Sequence, residues 1–193
     1  ESATHSNVIA ILKDNGFVQE VSAGDEAVIL LDRTPFYAEM GGQVGDRGWL
    51  ASATGARFEV NDCQPVYKGI TGHIGKAANG SIRVGDTFEA IIDIARRQKI
   101  ANNHTATHLL HWALHEVLGE HVRQAGSVVD DERLRFDFSH HKALTSDEIQ
   151  RIEDLVNERI CQNKHVQWYE ISYEEAQQNR QIKQFFGDKY GNT

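Results

Sequence analysis

The strongest constraint on the fold is a change of sequence pattern near Asp93. Before it, apolar and β-branched residues come in short runs punctuated by glycine, which is typical of strands. After it, apolar residues follow helical spacing over longer stretches. The short runs read AVILLD, GWLAS, RFEVND and GDTFEAIIDI, and Ala53-Thr54-Gly55 predicts a hairpin turn between two of them. We therefore expect a small β-barrel over residues 27–94.

The second half predicts helices laid on a sheet. Residues 96–118 form one long predicted helix that ends at Gly119, and residues 122–129 and 133–138 form predicted strands. Two Ser/Thr-x-x-Glu capping boxes begin further helices, at Thr145 and at Ser172, with a predicted strand (HVQWYEIS) before the second. The fold class is thus α+β, with an α/β core over 95–193.

The N-terminal segment reads differently from the barrel. Val8, Ile9 and Leu12, followed by Gly16 as a stop, predict a helix over residues 7–17. We interpret residues 1–26 as the helical tail of a preceding domain. Since the chain does not begin with Met, we expect it to be part of a longer protein.

Composition excludes several classes of protein. No apolar run approaches the roughly 20 residues of a membrane helix, and the first residues do not form a basic-then-apolar signal segment, so we expect no membrane partner. Two cysteines are too few for a disulfide scaffold, so we expect a protein of the reducing cytoplasm. The net charge of −8 argues against a general nucleic-acid binder. Residues 96–99 (RRQK) are a candidate phosphate contact or, equally, a solvated helix start.

Histidines on the long predicted helix are candidate metal ligands. His104 and His108 stand at i and i+4, on one side of the helix and able to share one zinc ion, whereas His111 and His115 lie too far along for the same ion. Thr105 replaces the glutamate of H-E-x-x-H peptidases. Cys161 and His165 have metal-like C-x-x-x-H spacing. The alternative for all of these is ordinary packing or hydrogen bonding.

A glycine-rich run, TPFYAEMGGQVGDRG over residues 34–48, is the second candidate site. Its glycines allow positive φ or close approach of a partner backbone. The run is not a phosphate-binding loop, because it contains neither G-K-[ST] nor G-x-G-x-x-G. A barrel turn remains the alternative to a binding loop.

These stretches resemble one family. TPFYAEMGGQVGDRG is similar to the glycine-rich motif of alanyl-tRNA synthetase editing domains and their free-standing relatives. The run NHTATHLLHWALHEVLGEHVRQAGSVVDDERLRFDFSH resembles the first half of the editing core, which is shared with threonyl-tRNA synthetases, and FFGDKYGNT resembles the segment before a C-x-x-x-H zinc motif. The resemblance implies a translation-factor-like barrel followed by the editing core.

The resemblance also implies roles for individual residues. His104 and His108 match zinc ligands, Gln124 matches a pocket residue that discriminates amino acids, and Gly41, Gly42 and Gln43 match a loop beside the pocket. The implied reaction is hydrolysis of mischarged Ser- or Gly-tRNA(Ala), with the tRNA acceptor end and the remaining synthetase domains as partners. ATP and magnesium would serve only an aminoacylation domain outside this chain.

The sequence departs from this family in its zinc motif. The family's C-x-x-x-H follows the last matching segment, whereas this chain ends at Thr193, so we expect an incomplete zinc site and weak zinc binding. Cys161 and His165 lie where the family has no ligand. Two alternatives stay open: a non-catalytic module that binds the tRNA acceptor end, and a free-standing aminoacyl-tRNA deacylase.

Overall fold

Six strands of the first half close into a β-barrel. A computed structural model of the chain describes residues 2–165 and 170–178. The barrel strands are paired in the order β1–β4–β7–β6–β5–β9, and β9 pairs with β1 to close the ring. Their bounds are β1 Ala3–Lys13, β4 Glu26–Leu31, β5 Gly48–Ala51, β6 Arg57–Tyr67, β7 Ile70–Asn79 and β9 Thr87–Ile92. The barrel predicted from the glycine-punctuated runs is thus confirmed.

Three short strands complete the β structure of the first half. β2 (Gly16–Val18) extends the sheet by pairing with the end of β1, and β3 (Glu20–Ser22) pairs with β8 (Ser81–Arg83). The turn between β5 and β6 lies at Ala53-Thr54-Gly55, where the Gly55 amide donates to the Ser52 carbonyl over 3.1 Å. That turn is where the sequence predicts it.

The helix predicted over residues 7–17, and with it the helical tail over 1–26, is wrong. Residues 3–13 form β1, which supplies one wall of the barrel between β4 and β9. Val8 and Ile11 are both buried, a spacing of three that mimics one helical turn. A bulge between Val8 and Ala10 shifts the register of the strand. Because a bulge inserts one residue into the two-residue alternation, it produces helix-like spacing within a strand.

The barrel encloses an apolar core. Alternate residues of its strands point inward, and the largest fully buried side chains include Ile11, Ile29, Leu50, Phe58 and Phe88. At roughly 1.5–3 kcal/mol for each large side chain buried, this interior is the main source of barrel stability. Gly75 on β7 carries no side chain because a Cβ there would lie 1.8 Å from the Glu59 carbonyl oxygen.

Helices and one hairpin make up the rest of the described chain. They are α1 (Ile94–Leu118), β10 (Arg123–Val129), β11 (Leu134–Ser139), α2 (Ser146–Gln162) and α3 (Tyr173–Gln178). α1 ends at Gly119, whose φ is 108°. Both capping boxes occur as predicted, with Thr145 capping α2 and Ser172 accepting the Glu175 amide at the start of α3. Half of the strand predicted over residues 165–172 lies outside the described residues, and residues 165 and 170–172 are not in a strand.

The chain divides into two compact units. Unit 1 comprises residues 1–108 and 125–137, and unit 2 comprises residues 109–124 and 138–193. The division falls inside α1 and inside the β10–β11 hairpin. Among the described residues, no helix is both long and apolar enough to cross a membrane.

Candidate functional site

The glycine-rich run forms a tight turn within unit 1. Met40 and Gln43 exchange backbone hydrogen bonds of 3.2 and 3.1 Å across the two glycines between them. Gly41 and Gly42 have φ of 64° and 88°, as both central residues of a type I′ turn must. The predicted positive φ is confirmed at both positions. We call residues 40–43 the glycine turn.

The second glycine of the turn also lies against the hairpin backbone. A Cβ on Gly42 would stand 2.4 Å from the Ser127 carbonyl oxygen, whereas a Cβ on Gly41 would meet nothing within 4 Å. The Gly42 carbonyl accepts the Val129 amide at 2.8 Å, and the Val129 carbonyl accepts the Val44 amide at 3.1 Å. The glycine turn is therefore paired with β10.

Two arginines at the start of α1 hold the segment after the glycine turn. Arg97 forms an ion pair with Asp46, a carboxylate that is only 2% exposed, with Nε donating to Oδ1 over 2.8 Å. Arg96 donates to the Gly45 carbonyl at 2.8 Å and to Asp131 at 2.9 Å. Both guanidinium groups are thus engaged within the protein. The phosphate contact proposed for residues 96–99 stays a prediction.

The histidine pair lies beside the glycine turn. The His104 and His108 rings stack with centroids 5.0 Å apart and planes 20° from parallel, as their i, i+4 spacing predicts. The Gln43 side chain is buried, and its Oε1 lies 2.6 Å from His104 Nδ1. Because an amide oxygen only accepts, Nδ1 of His104 donates and its Nε2 stays unprotonated in the neutral ring. Partial desolvation, and secondly the His104 ring, lower the pKa of His108.

The pair fits two ligands of a zinc ion. Metal-bound histidines generally donate their second ring nitrogen to an oxygen acceptor, which fixes the tautomer and the orientation of the ring. The Gln43–His104 hydrogen bond has this form. Two imidazoles are fewer than the three protein ligands of a catalytic zinc or the four of a structural one. The unit 1 residues described could therefore supply only part of a ligand set.

The remaining predicted site residues belong to unit 2. Gln124 is half-buried near the start of β10. His111 is buried, and the His115 Nε2 lies 2.9 Å from the Val122 carbonyl oxygen, so His115 is tied to its own unit. Cys161 and His165 are exposed, and among the described residues neither joins a cluster of three close ligand side chains. The hypothesis that they complete a zinc site gains no support.

Comparison with known proteins finds one family model and several similar ligases. A family model described as tRNA synthetases class II (A) matches residues 1–96. Alanine–tRNA ligase of Acetivibrio thermocellus is 49% identical over all 193 residues, and that of Polynucleobacter asymbioticus is 47% identical over 186 residues. This chain is thus similar to one part of the alanine–tRNA ligases. It spans about a fifth of their length, namely 22% and 21%.

Sequence reasoning missed the residues that fix this site in place. Gln43 was expected in a loop beside the pocket, and its direct contact with His104 was not predicted. Asp46 received no role and Arg97 only that of a candidate phosphate contact, although their ion pair anchors the segment after the glycine turn. Spacing alone did not show that they meet.

Proposed function

We propose that this chain is the editing portion of an alanyl-tRNA synthetase and hydrolyses mischarged Ser- or Gly-tRNA(Ala) at a site containing His104 and His108. The observation that carries the proposal is the Gln43–His104 hydrogen bond of 2.6 Å. It joins the two stretches that resemble editing domains, although 61 residues separate them in sequence. The homology to alanine–tRNA ligases supports the same conclusion.

The residues of the chain prepare the site in three ways. Gln43 holds the His104 ring in one tautomer, which leaves Nε2 as a free electron pair. The lowered pKa of His108 keeps its imidazole neutral near pH 7. Gly41 of the glycine turn faces open space, since a Cβ there would meet nothing within 4 Å, and this is where we place the approach of the tRNA end. A zinc ion bound here would supply Lewis-acid and template chemistry for ester hydrolysis.

Two parts of the proposal rest on the resemblance alone. Gln124 is assigned to hydrogen-bond the hydroxyl of a mischarged serine, since a polar site distinguishes substrates by a hydroxyl group. By the same resemblance, the Cys and His of a C-x-x-x-H motif would complete the zinc site. The tRNA acceptor end and the other synthetase domains are the proposed partners, and ATP and magnesium belong to the alanine-ligating part of such an enzyme.

A chimeric enzyme tests the proposal. The matching segment of the Acetivibrio thermocellus ligase is replaced by this chain, and release of serine from Ser-tRNA(Ala) is followed with time. We expect His104→Asn and Gln43→Leu to slow deacylation strongly while alanine charging continues. His5→Asn, the same change at an exposed barrel histidine, serves as the control.

Two outcomes would contradict the proposal. If His104→Asn deacylates Ser-tRNA(Ala) as fast as the control, the histidine pair is not part of the reaction. If the parent chimera charges alanine and binds tRNA but never releases serine, the chain is a binding module, which is the rival function. Alanine charging by the same chimera distinguishes either result from misfolding.

A further inference from the structure

A second group of histidines lies in unit 2. His121 precedes β10, and His140 and His141 follow β11. The two strands form a hairpin whose connection is closed by the Asp130 amide donating to the Arg133 carbonyl at 3.0 Å. Its far ends are held together where the Arg123 amide donates to Ser139 Oγ. We call His121, His140 and His141 the histidine cluster.

The three rings are close enough to share one ion. The centroid distances are 5.1 Å for His121–His140, 5.3 Å for His121–His141 and 4.4 Å for His140–His141. Each residue offers a ring nitrogen, and these three nitrogens all lie within 4.8 Å of one another. Nitrogens bound tetrahedrally to zinc at about 2.0–2.1 Å stand roughly 3.3 Å apart, so small side-chain rotations suffice.

The hydrogen bonding of the cluster leaves ligand capacity unused. His121 Nε2 and His140 Nδ1 lie 2.9 Å apart and share a single proton when both rings are neutral. His140 Nε2 is buried, and it makes no hydrogen bond within the described residues. An imidazole nitrogen that is buried without a hydrogen-bond partner is unfavourable. A metal ion bound at this nitrogen would give it a partner.

One basic side chain, Lys142, follows the cluster directly in sequence. The Lys142 ammonium is itself paired with Glu148 at 3.1 Å, which reduces its repulsion of a cation.

We propose that His121, His140 and His141 bind one divalent transition-metal ion, with zinc as the reference ion and an open fourth position for water. An all-imidazole set suits zinc, copper and nickel rather than magnesium or calcium, which prefer oxygen. The bound ion would tie the segment before β10 to the segment that leads into α2. The site is independent of the function proposed for the pair on α1.

Zinc titration of the 193-residue chain tests the site. His104→Asn/His108→Asn is the background, so that the pair on α1 cannot contribute, and zinc binding is measured by isothermal titration calorimetry. We expect one equivalent to bind, and we expect Co²⁺ to give the strong visible absorption of low-coordinate cobalt. Histidine side-chain NMR signals of the cluster should shift with the same stoichiometry.

Substitutions within the same background assign the ligands. His141→Asn changes an exposed ring and should weaken zinc binding at least about tenfold, because even indirect metal partners contribute roughly 10–100-fold. His121→Asn should do the same. His165→Asn, an exposed histidine outside the cluster, is the matched control and should bind like the background. Circular dichroism confirms that each variant is folded.

The proposal is overturned by either of two results. One is no saturable zinc binding by the folded background protein at concentrations up to about one millimolar. The other is equal affinity of His141→Asn, His121→Asn and His165→Asn, which would place the ion elsewhere.

Discussion

Replacing each glycine of the glycine turn by alanine separates backbone strain from steric contact. Gly41 and Gly42 both have positive φ, so either alanine is strained by roughly 1–2 kcal/mol. The loss of unfolded-state entropy is the same for both changes and cancels in their comparison. Only at Gly42 does the new Cβ meet backbone, 2.4 Å from the Ser127 carbonyl oxygen. Such overpacking typically adds about 1–3 kcal/mol.

We therefore expect Gly42→Ala to lower the free energy of unfolding by about 1–3 kcal/mol more than Gly41→Ala. In a chain of this size each kcal/mol corresponds to a change of about 2–4 °C in Tm, measurable by calorimetry. Amide hydrogen exchange gives a local readout. The Val129 amide, which donates to the Gly42 carbonyl, should exchange faster in Gly42→Ala than in Gly41→Ala. Equal destabilisation and equal Val129 exchange in the two variants would refute the reasoning.

Two further changes probe buried polar groups in unit 1. Arg97→Met leaves the buried Asp46 carboxylate without its ion-pair partner and should lower the free energy of unfolding, measured in urea, by roughly 3 kcal/mol. The control, Arg33→Met at an exposed site, should change the free energy of unfolding little. Burial lowers the pKa of His73 in the folded protein to about 4, so the unfolded chain binds a proton at this residue more tightly than the folded one. The free energy of unfolding should therefore fall by up to about 3 kcal/mol as the pH drops from about 6.5 to about 4. His73→Gln should flatten this pH dependence and His5→Gln should not; an unchanged slope in His73→Gln would assign it to other groups.

Much of the fold follows from local pattern. The glycine-punctuated runs predict the barrel strands, Gly119 marks the end of α1, and the two capping boxes mark the starts of α2 and α3. These signals work because each depends on residues close in sequence. The same reasoning fails for β1, where the sequence predicted a helix. The bulge in this strand places Val8 and Ile11, which are three residues apart, on one buried face.

The candidate site was predictable only in part. The stacked pair of His104 and His108 follows from helical geometry, and the positive φ of the glycine turn follows from its two glycines. The contact between Gln43 and His104 joins residues far apart in sequence, and no spacing rule specifies it.

The histidine cluster, by contrast, could have been found from the sequence. The predicted strands over 122–129 and 133–138 form a hairpin around a short polar turn. Arg123 and Ser139 lie opposite each other near the open end of the hairpin. In an antiparallel pair, residues an equal number of positions further from the turn also lie opposite each other. Two positions further out, these residues are His121 and His141. The hairpin was predicted, but its consequence for residues beyond the strand ends was not considered.

The glycine-rich segment and α1 fit each other by length. At 3.6 residues per turn, positions 97, 104 and 108 lie within about 40° of one another around the helix, so one stripe carries Arg97 and both histidines. Arg97 and His104 are about 10.5 Å apart along the axis. Their partners, Asp46 and Gln43, are three residues apart, which spans at most about 11 Å when extended. The segment can thus run along the helix and make both contacts at once. An extra residue between Gln43 and Asp46 would add about 3.3 Å and leave slack that loosens one contact, most directly the one that orients His104.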